Sequence, residues 1–474
     1  MNTIAKDGPA TEEPEAYMEG RPAGTAQQMP RIDLPWTAYA APLRTWPAQF
    51  HNKLFTPSDA LQAVHSHQRV YIGGGCGEPL VLAQELVRRA GSVREVEIIQ
   101  ILTAGHAAYA APELAAAFRV NALFIGANVR GAVHAGRADY TPVCLSEIPH
   151  LFREGYLPID VALISVSPPD ARGYCSYGVE VGVTKAAVES ARLVIAEINP
   201  HMPRVWGDSF IHLNQIDRAV LVNYPLPEQP QSRPSPVYAA IGHQIATLIE
   251  DGATLQLGIG AIPDAVLPCL VDKRDLGVHS EMVSDGIIDL VDAGVITNRR
   301  KTLLPGKIVT SFLLGSRRLY EFAHDNPMLE LHPTEFTNDP FIISRNDRMV
   351  AINSALQIDL TGQVCADSLG TRFYSGVGGQ ADFMRGAARS QGGKPIIALP
   401  ATALNGQVSR IVGVLDAGAG VTTTRHDVHY VVTEYGVAAL YGKTARQRAK
   451  ALIAIAHPDF RAALHETAVA HGLA

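Results

Sequence analysis

Short aliphatic runs with little polar face are the feature that most constrains this chain. They occur at residues 70–72, 161–166, 193–196, 254–257, 396–399 and 428–432. A strand with one wet face alternates polar and apolar residues, whereas a strand apolar on both faces needs cover on both sides, as in a parallel sheet. Helical stretches separate the runs, so the predicted class is α/β. At 474 residues the chain exceeds one ordinary domain, and about 150 residues per domain predicts two or three. An apolar fraction of 47% against 18% charged supplies a large core.

Proline marks the division. Residues 225–236 read PLPEQPQSRPSP, with five prolines in twelve positions, which neither a helix nor a central strand can continue. The expected organisation is an N-terminal arm at 1–45, a domain at 46–225, a proline-rich linker at 226–236 and a second domain at 237–474. The two halves read alike. In the first, Thr56-Pro57-Ser58-Asp59 opens a helix, with a capping hydroxyl, proline in the first turn and an acid near the positive end. A strand, the turn GGGCGEP (73–79) and a helix stopping near Gly91 follow. In the second, a helix from Val237 precedes a strand, the turn GIGAIP (258–263) and another helix. Each half later has an apolar strand ending in glutamate, Glu197 and Glu434. We therefore expect two similar open α/β domains.

Several classes are disfavoured. A net charge of −6 and a pI near 6.3 lack the basic face that nucleic-acid binding exploits. No run of 18 apolar residues crosses a membrane, and the arm is rich in Pro, Glu and Ala without the regions of a signal peptide. Five dispersed cysteines with no C-x-x-C pair fit reduced thiols and a cytoplasmic location. Gly258-Ile259-Gly260 lacks the third glycine of a dinucleotide fingerprint, and Gly436 to Gly442-Lys443-Thr444 has one residue too many for a Walker loop. Gly207-Asp208-Ser209 lacks the closing glycine of a hydrolase elbow. His65/His67 and His426/His429 have no further convincing ligand, so no metal site is expected.

Three glycine turns remain, at 73–77, 258–260 and 376–379. Bare backbone between a strand and a helix lets a ligand approach N–H groups at a positive helix end. Between them lies GVHSEMVSDG (277–286), read as a strand ending in a turn before a helix at 287–291. That makes Glu281 either a solvated acid or cap, or an acid at the carboxyl mouth of a sheet, where α/β proteins do chemistry.

The run HSEMVSDGIIDLVDAGVITNRRKTLLPGKIV closely resembles the acetyl-CoA hydrolase/transferase family of class I CoA-transferases. QLGIGAIPDAV precedes it, and TNDP, INSALQIDLTGQV and YSGVGGQADFMRGAA follow it. In the first half GGGCGEP, ADYTPVCLSEIP and DVALISVSPPDARGYCSYGV share the resemblance, which extends from about Phe55 to about Leu464. It implies two CoA-transferase-type domains with an active site between them. Glu281 matches the catalytic glutamate, Asn338 an asparagine beside it, and Glu434 a second active-site acid. The backbone N–H groups of Ile262 and Gly379 match an oxyanion hole. Gln256, Leu257, Gly258, Ile259 and Gly260, with Ala355, Ser375 and Gly379, match CoA contacts. Arg385, Arg389 and Lys394 stand either to pair with CoA phosphates or to be solvated helix charges.

The implied activity moves CoA between a short-chain acyl-CoA and a free carboxylate. CoA is a substrate, and no tightly bound cofactor is expected. Acetate, propionate, butyrate, succinate and 4-hydroxybutyrate all suit as carboxylates, and the family suggests a homodimer. Hydrolysis of acyl-CoA is the alternative within the same chemistry. A sugar-phosphate isomerase, a dinucleotide enzyme and a CoA- or metabolite-binding protein are the alternatives outside it.

Overall fold

The computed structural model describes residues 48–229, 235–258 and 260–474. The expected arm, the middle of the proline-rich break (230–234) and Ile259 lie outside the described residues. The doubly apolar runs form the strands of two large sheets. In the first half these are β1 (Arg69–Ile72), β2 (Val96–Ile101), β3 (Phe118–Phe124), β4 (Ala138–Tyr140), β5 (Val161–Val166), β6 (Leu193–Ile198) and β7 (Arg218–Leu221). They lie parallel in the order β7-β6-β5-β1-β2-β3-β4. The chain starts at the centre, winds outward, then returns to the other side of β1. The turn after β1 therefore sits where the winding reverses.

The second half adds β8 (Thr254–Leu257), β9 (Gly277–Val278), β10 (Met349–Ser354), β11 (Lys394–Ala398), β12 (Tyr430–Thr433) and β13 (Gly436–Ala439). Their order is β9-β8-β10-β11-β12-β13, parallel except for the last pair. The winding repeats that of the first half, with the glycine turn after β8 at the reversal. Every residue of β5 and of β8 is buried, as strands covered on both faces must be.

Local signals shape the helices. The Thr56 hydroxyl accepts the Asp59 N–H at 3.1 Å and caps a short helix, Pro57–Leu61. After the first glycine turn a helix spans Leu80–Arg88. In the second half, helices span Pro236–Ala246, Ala261–Val266, Gly286–Asp292 and Gln380–Arg389. One expectation changes: β6 continues through Glu197 to Ile198, so Glu197 lies within a strand, whereas Glu434 follows β12.

The halves share a core. One continuous apolar cluster includes Ala162 and Ile164 from β5 and Leu255 and Ile352 from β8 and β10. The start of the proline-rich break is tied to the second half, with Gln229 N–H on the Gly315 carbonyl (2.8 Å) and the Tyr320 hydroxyl on the Pro227 carbonyl (2.6 Å).

Candidate active site

Beyond β9 the backbone of Glu281 is held on every side. His279 bridges Val309 in parallel, and Ser280 donates its N–H to the Val309 carbonyl at 3.0 Å. The Ser280 hydroxyl accepts the Leu257 N–H (3.2 Å) and donates to the Leu257 carbonyl (2.9 Å), tying this segment to the end of β8. The Glu281 carbonyl receives N–H groups from Ser311 (3.0 Å) and Phe312 (3.2 Å) and the Thr310 hydroxyl (3.2 Å). A short strand, Met282–Val283, pairs with Phe312–Leu313 before the expected helix begins.

The carboxyl group has two donors. Asn338 Nδ2 reaches Glu281 Oε2 at 3.1 Å, and the Gly379 N–H also donates to this carboxyl. Gly379 caps the helix Gln380–Arg389, so the carboxyl also faces that helix's positive end. Protein atoms surround the carboxyl although the residue keeps partial exposure. Burial pushes its pKa up to about 7 against the two hydrogen bonds, which pull it down. No Cβ fits at Gly379, because it would overlap Glu281 Oε2 and Asn338 Nδ2.

Asn338 is set between two one-turn helices, Thr334–Thr337 and Pro340–Ile343. Asp339 caps the second by accepting the Phe341 N–H at 2.7 Å, with proline at its first position. The Gly379 turn is held from the first half. Leu145 N–H donates to the Gly378 carbonyl (3.0 Å), and Asp382 accepts the Ser146 N–H (3.1 Å) and hydroxyl (2.8 Å). Burial raises Asp382 to about 7, and nearby Glu281 adds to the rise. The described glutamate site thus takes support from both halves.

The other candidate residues fall in different places. Gly258 and Gly260 face open space where a side chain would project, and Gly260 has φ +111°. A cleft beside them is lined by Leu257, Gly258, Ser280 and Met282. Ile262 lies in the first turn of the helix after this loop, where helices leave N–H groups without intrahelical partners. Gln256 is buried, and its side chain accepts the Ile352 N–H (3.1 Å) and Asn353 Nδ2 (3.0 Å), so it braces β8 against β10. The Ala355 carbonyl accepts Arg410 (3.3 Å), and the Ser375 hydroxyl donates to the Ala366 carbonyl (3.0 Å). Glu434 accepts the Ala401 N–H at 2.9 Å. Among the described residues no hydrogen bond joins Glu434 to Glu281.

Among the candidate cations, Lys394 is displaced. It begins β11, at the end of the sheet opposite Gly258, and its ammonium is occupied by Glu250 (2.6 Å) and the Leu248 carbonyl (2.8 Å). Arg385 lies 3.4 Å from Asp427, and Arg389 stacks 5.3 Å from the centre of the Phe341 ring. His67 pairs with Glu95 at 3.0 Å, and the His429 ring lies 4.1 Å from Tyr441. Among the described residues no group of three or more His, Cys, Asp or Glu side chains is placed to hold a metal, and no helix is long and apolar enough to cross a membrane.

Sequence reasoning missed Ser280, Ser311, Thr337 and Asp382, which hold the Glu281 backbone, the Asn338 amide and the Gly379 turn in place. Only Asp382, in GGQAD, had a local signal, as an acid in the first turn of a helix. The others act through contacts between distant segments.

Two doubly wound sheets share one core, and Glu281, Asn338 and Gly379 meet where both halves lend support, the arrangement of an α/β protein with a candidate active site. Family models for the acetyl-CoA hydrolase/transferase N-terminal and C-terminal domains match residues 43–226 and 315–468. The chain is 54% identical to a 4-hydroxybutyrate coenzyme A transferase of Clostridium kluyveri, over 88% of this chain and 98% of that protein. It is 45% identical to a succinyl-CoA:acetate/propanoyl-CoA:succinate CoA transferase of Fasciola hepatica, over 90% of each. The crystal structure of RipA from Yersinia pestis superposes with a TM-score of 0.86 at 38% identity, covering 90% of this chain and 99% of that one. The chain belongs to the acetyl-CoA hydrolase/transferase family.

Proposed function

We propose that this protein is an acyl-CoA:carboxylate CoA-transferase that works through a covalent glutamyl–CoA thioester on Glu281. The carrying observation is one carboxyl, on a residue that keeps partial exposure, pushed by burial to about 7 and held by the Asn338 amide and the Gly379 N–H.

As carboxylate, Glu281 attacks the acyl carbonyl of acyl-CoA. The C–S bond breaks, leaving an acyl-glutamyl anhydride and CoA thiolate. The thiolate attacks the glutamyl carbonyl and expels the acyl group as free carboxylate. An incoming carboxylate reverses both steps. Splitting one exchange into covalent stages lowers each barrier. The energy of the thioester is retained as anhydride and thioester, so no nucleotide is consumed.

Each addition forms an oxyanion. Asn338 and Gly379 already donate to Glu281. When the glutamyl carbon is attacked, the oxygen they hold becomes that oxyanion, so they stabilise it without reorganising. Ile262 N–H, at the start of the next helix, serves as a further donor. Losing one such donor costs on the order of 3 kcal/mol. The open space at Gly258 and at Gly260 leaves room for the pantetheine arm. Relatives act on 4-hydroxybutyryl, succinyl, acetyl and propanoyl groups, so we assign a short-chain carboxylate without choosing one. The five cysteines stand free, which fits a reducing compartment such as the cytoplasm.

Incubation with acyl-CoA and no acceptor, followed by intact-mass and peptide measurement, tests this. A CoA-sized adduct on the peptide carrying Glu281, lost on adding acetate, is expected. CoA transfer by an enzyme that never carries the adduct would sink the covalent route. Thiol release at the transfer rate without acceptor would mark a hydrolase instead.

A further inference from the structure

The segment that carries Glu281 runs from the Gly277–Val278 strand through a bridge at His279 and a bend at Glu281 into Met282–Val283. His279 and Glu281 both meet the Thr337–Asn338 dipeptide. His279 Nε2 lies 2.9 Å from the Thr337 carbonyl, and Glu281 Oε2 lies 3.1 Å from Asn338 Nδ2. A carbonyl only accepts, so Nε2 carries the hydrogen. The Thr337 hydroxyl donates to Asn338 Oδ1 at 3.1 Å, which turns the amide nitrogen toward Glu281. These contacts close a ring: along the backbone from 279 to 281, across to Asn338, back to Thr337, and home through the imidazole.

We propose that His279 is a positioning residue that holds Asn338 against Glu281. It rests on the reading of Glu281 as nucleophile.

Two further observations support it. The imidazole is completely buried, and its ring centre lies 6.3 Å from that of Phe383 and 6.5 Å from that of Phe336. Phe383 stands on the helix that begins at Gly379, and Phe336 on the turn that ends in Asn338. The ring therefore packs against both elements that donate to the carboxyl. Burial, helped by Lys301 and His332, pushes the histidine pKa down to about 3, which keeps the ring neutral. Among the described residues Nδ1 has no hydrogen-bond partner, so the donor contact to Thr337 is the polar contact the ring makes there. The charged groups around the ring are Lys301 and His332, with Glu330 beside both, and Asp382 faces Glu281.

The test compares donors. In His279→Gln the amide nitrogen reaches the Nε2 position. In His279→Asn it falls short, and His279→Leu fills the volume with no donor. The readouts are kcat, KM for acyl-CoA, and the acid limb of kcat/KM against pH. Asn338 lowers the Glu281 pKa, so losing its hold raises that limb. Asn and Leu variants are expected to lose roughly tenfold in kcat with KM little changed, a typical worth for a hydrogen bond to a charged group. Their acid limb rises by roughly one unit. His279→Gln restores most of both. In an Asn338→Ala background, His279→Leu adds no further limb shift. Equal impairment by Gln and Leu, an unmoved limb in either donorless variant that folds, or full additivity with Asn338→Ala would overturn the proposal. A Glu281→Gln control that still transfers CoA would instead sink the nucleophile reading, whatever the His279 variants do.

Discussion

The two glycine turns at the sheet reversals look alike in sequence and serve different ends. A Cβ at Gly74 would lie 2.6 Å from the Ile101 carbonyl, and one at Gly77 would lie 3.0 Å from Glu180 Cβ. Glycine is required there because the chain is packed. At Gly258 and Gly260 a Cβ would meet nothing within 4 Å. Glycine there leaves backbone open to a visitor. The buried acids divide the same way. Glu197 gives both oxygens to protein, to the Leu82 N–H (2.6 Å) and the Tyr224 hydroxyl, and is fully enclosed. Glu281 keeps partial exposure. Burial raises both to about 7, so the raised pKa does not distinguish them, whereas exposure does.

The sharpest way to break this comparison exchanges the two acids. Glu281→Gln should lose roughly 10⁴-fold or more in kcat, as removal of a covalent nucleophile does, with an unchanged melting temperature. Glu197→Gln should keep kcat within about threefold but orphan one buried donor, at about 1–3 kcal/mol of stability. Urea unfolding and CoA-exchange assays read both. Comparable loss of turnover in the two variants would erase the distinction.

The glycines offer a second contrast. Gly74→Ala should destabilise by about 2–3 kcal/mol through overpacking against the Ile101 carbonyl. Gly258→Ala should leave stability within about 0.5 kcal/mol and act on the KM for acyl-CoA. An equally destabilised Gly258→Ala would show that its turn is packed after all.

The smallest effect concerns pH. Glu78, Glu180, Glu197 and Glu281 stand at about 7 against an ordinary 4.5, and Asp382 at about 7 against 3.8. The folded state binds these protons more tightly than the unfolded chain. Their stabilising contribution is therefore full below the ordinary values and is lost as pH rises through about 7. His279, His332 and His429, held below 6.5, and Lys301, pushed down to about 7, work the other way, four groups against five. The melting temperature should fall modestly between about pH 5 and about pH 7.5, and Glu197→Gln should flatten the fall. A rise over that range would contradict the assignment of these acids as buried and unpaired.

Much of the fold was legible because doubly apolar runs have one economical fate, a strand covered on both faces. The runs at 161–166 and 254–257 became β5 and β8 without change. The boundary of 193–196 shifted because Glu197, although charged in water, finds Tyr224 and continues β6. Glu281, Asn338 and Gly379 were placed by motif and are brought together in space. Gln256 was expected in a segment that contacts CoA, and its side chain braces β10. Lys394 was read either as a partner for CoA phosphates or as a helix charge, and it stands at the far end of a strand. Neither could be seen locally, since which end and which face a residue occupies depends on strand direction in the assembled sheet.

By itself the chain's order of residues determined the class, the repeated order of helix, strand and glycine turn, and the bare loops, because periodicity, turn chemistry and motif are local properties. Only the tertiary structure decided which glycine turn is open and which buried glutamate is reachable. It also decided that Thr337 and Asn338 meet His279 and Glu281 across 57 positions of chain. Those are matters of packing between distant segments, where the same residue types are either enclosed or left facing a gap.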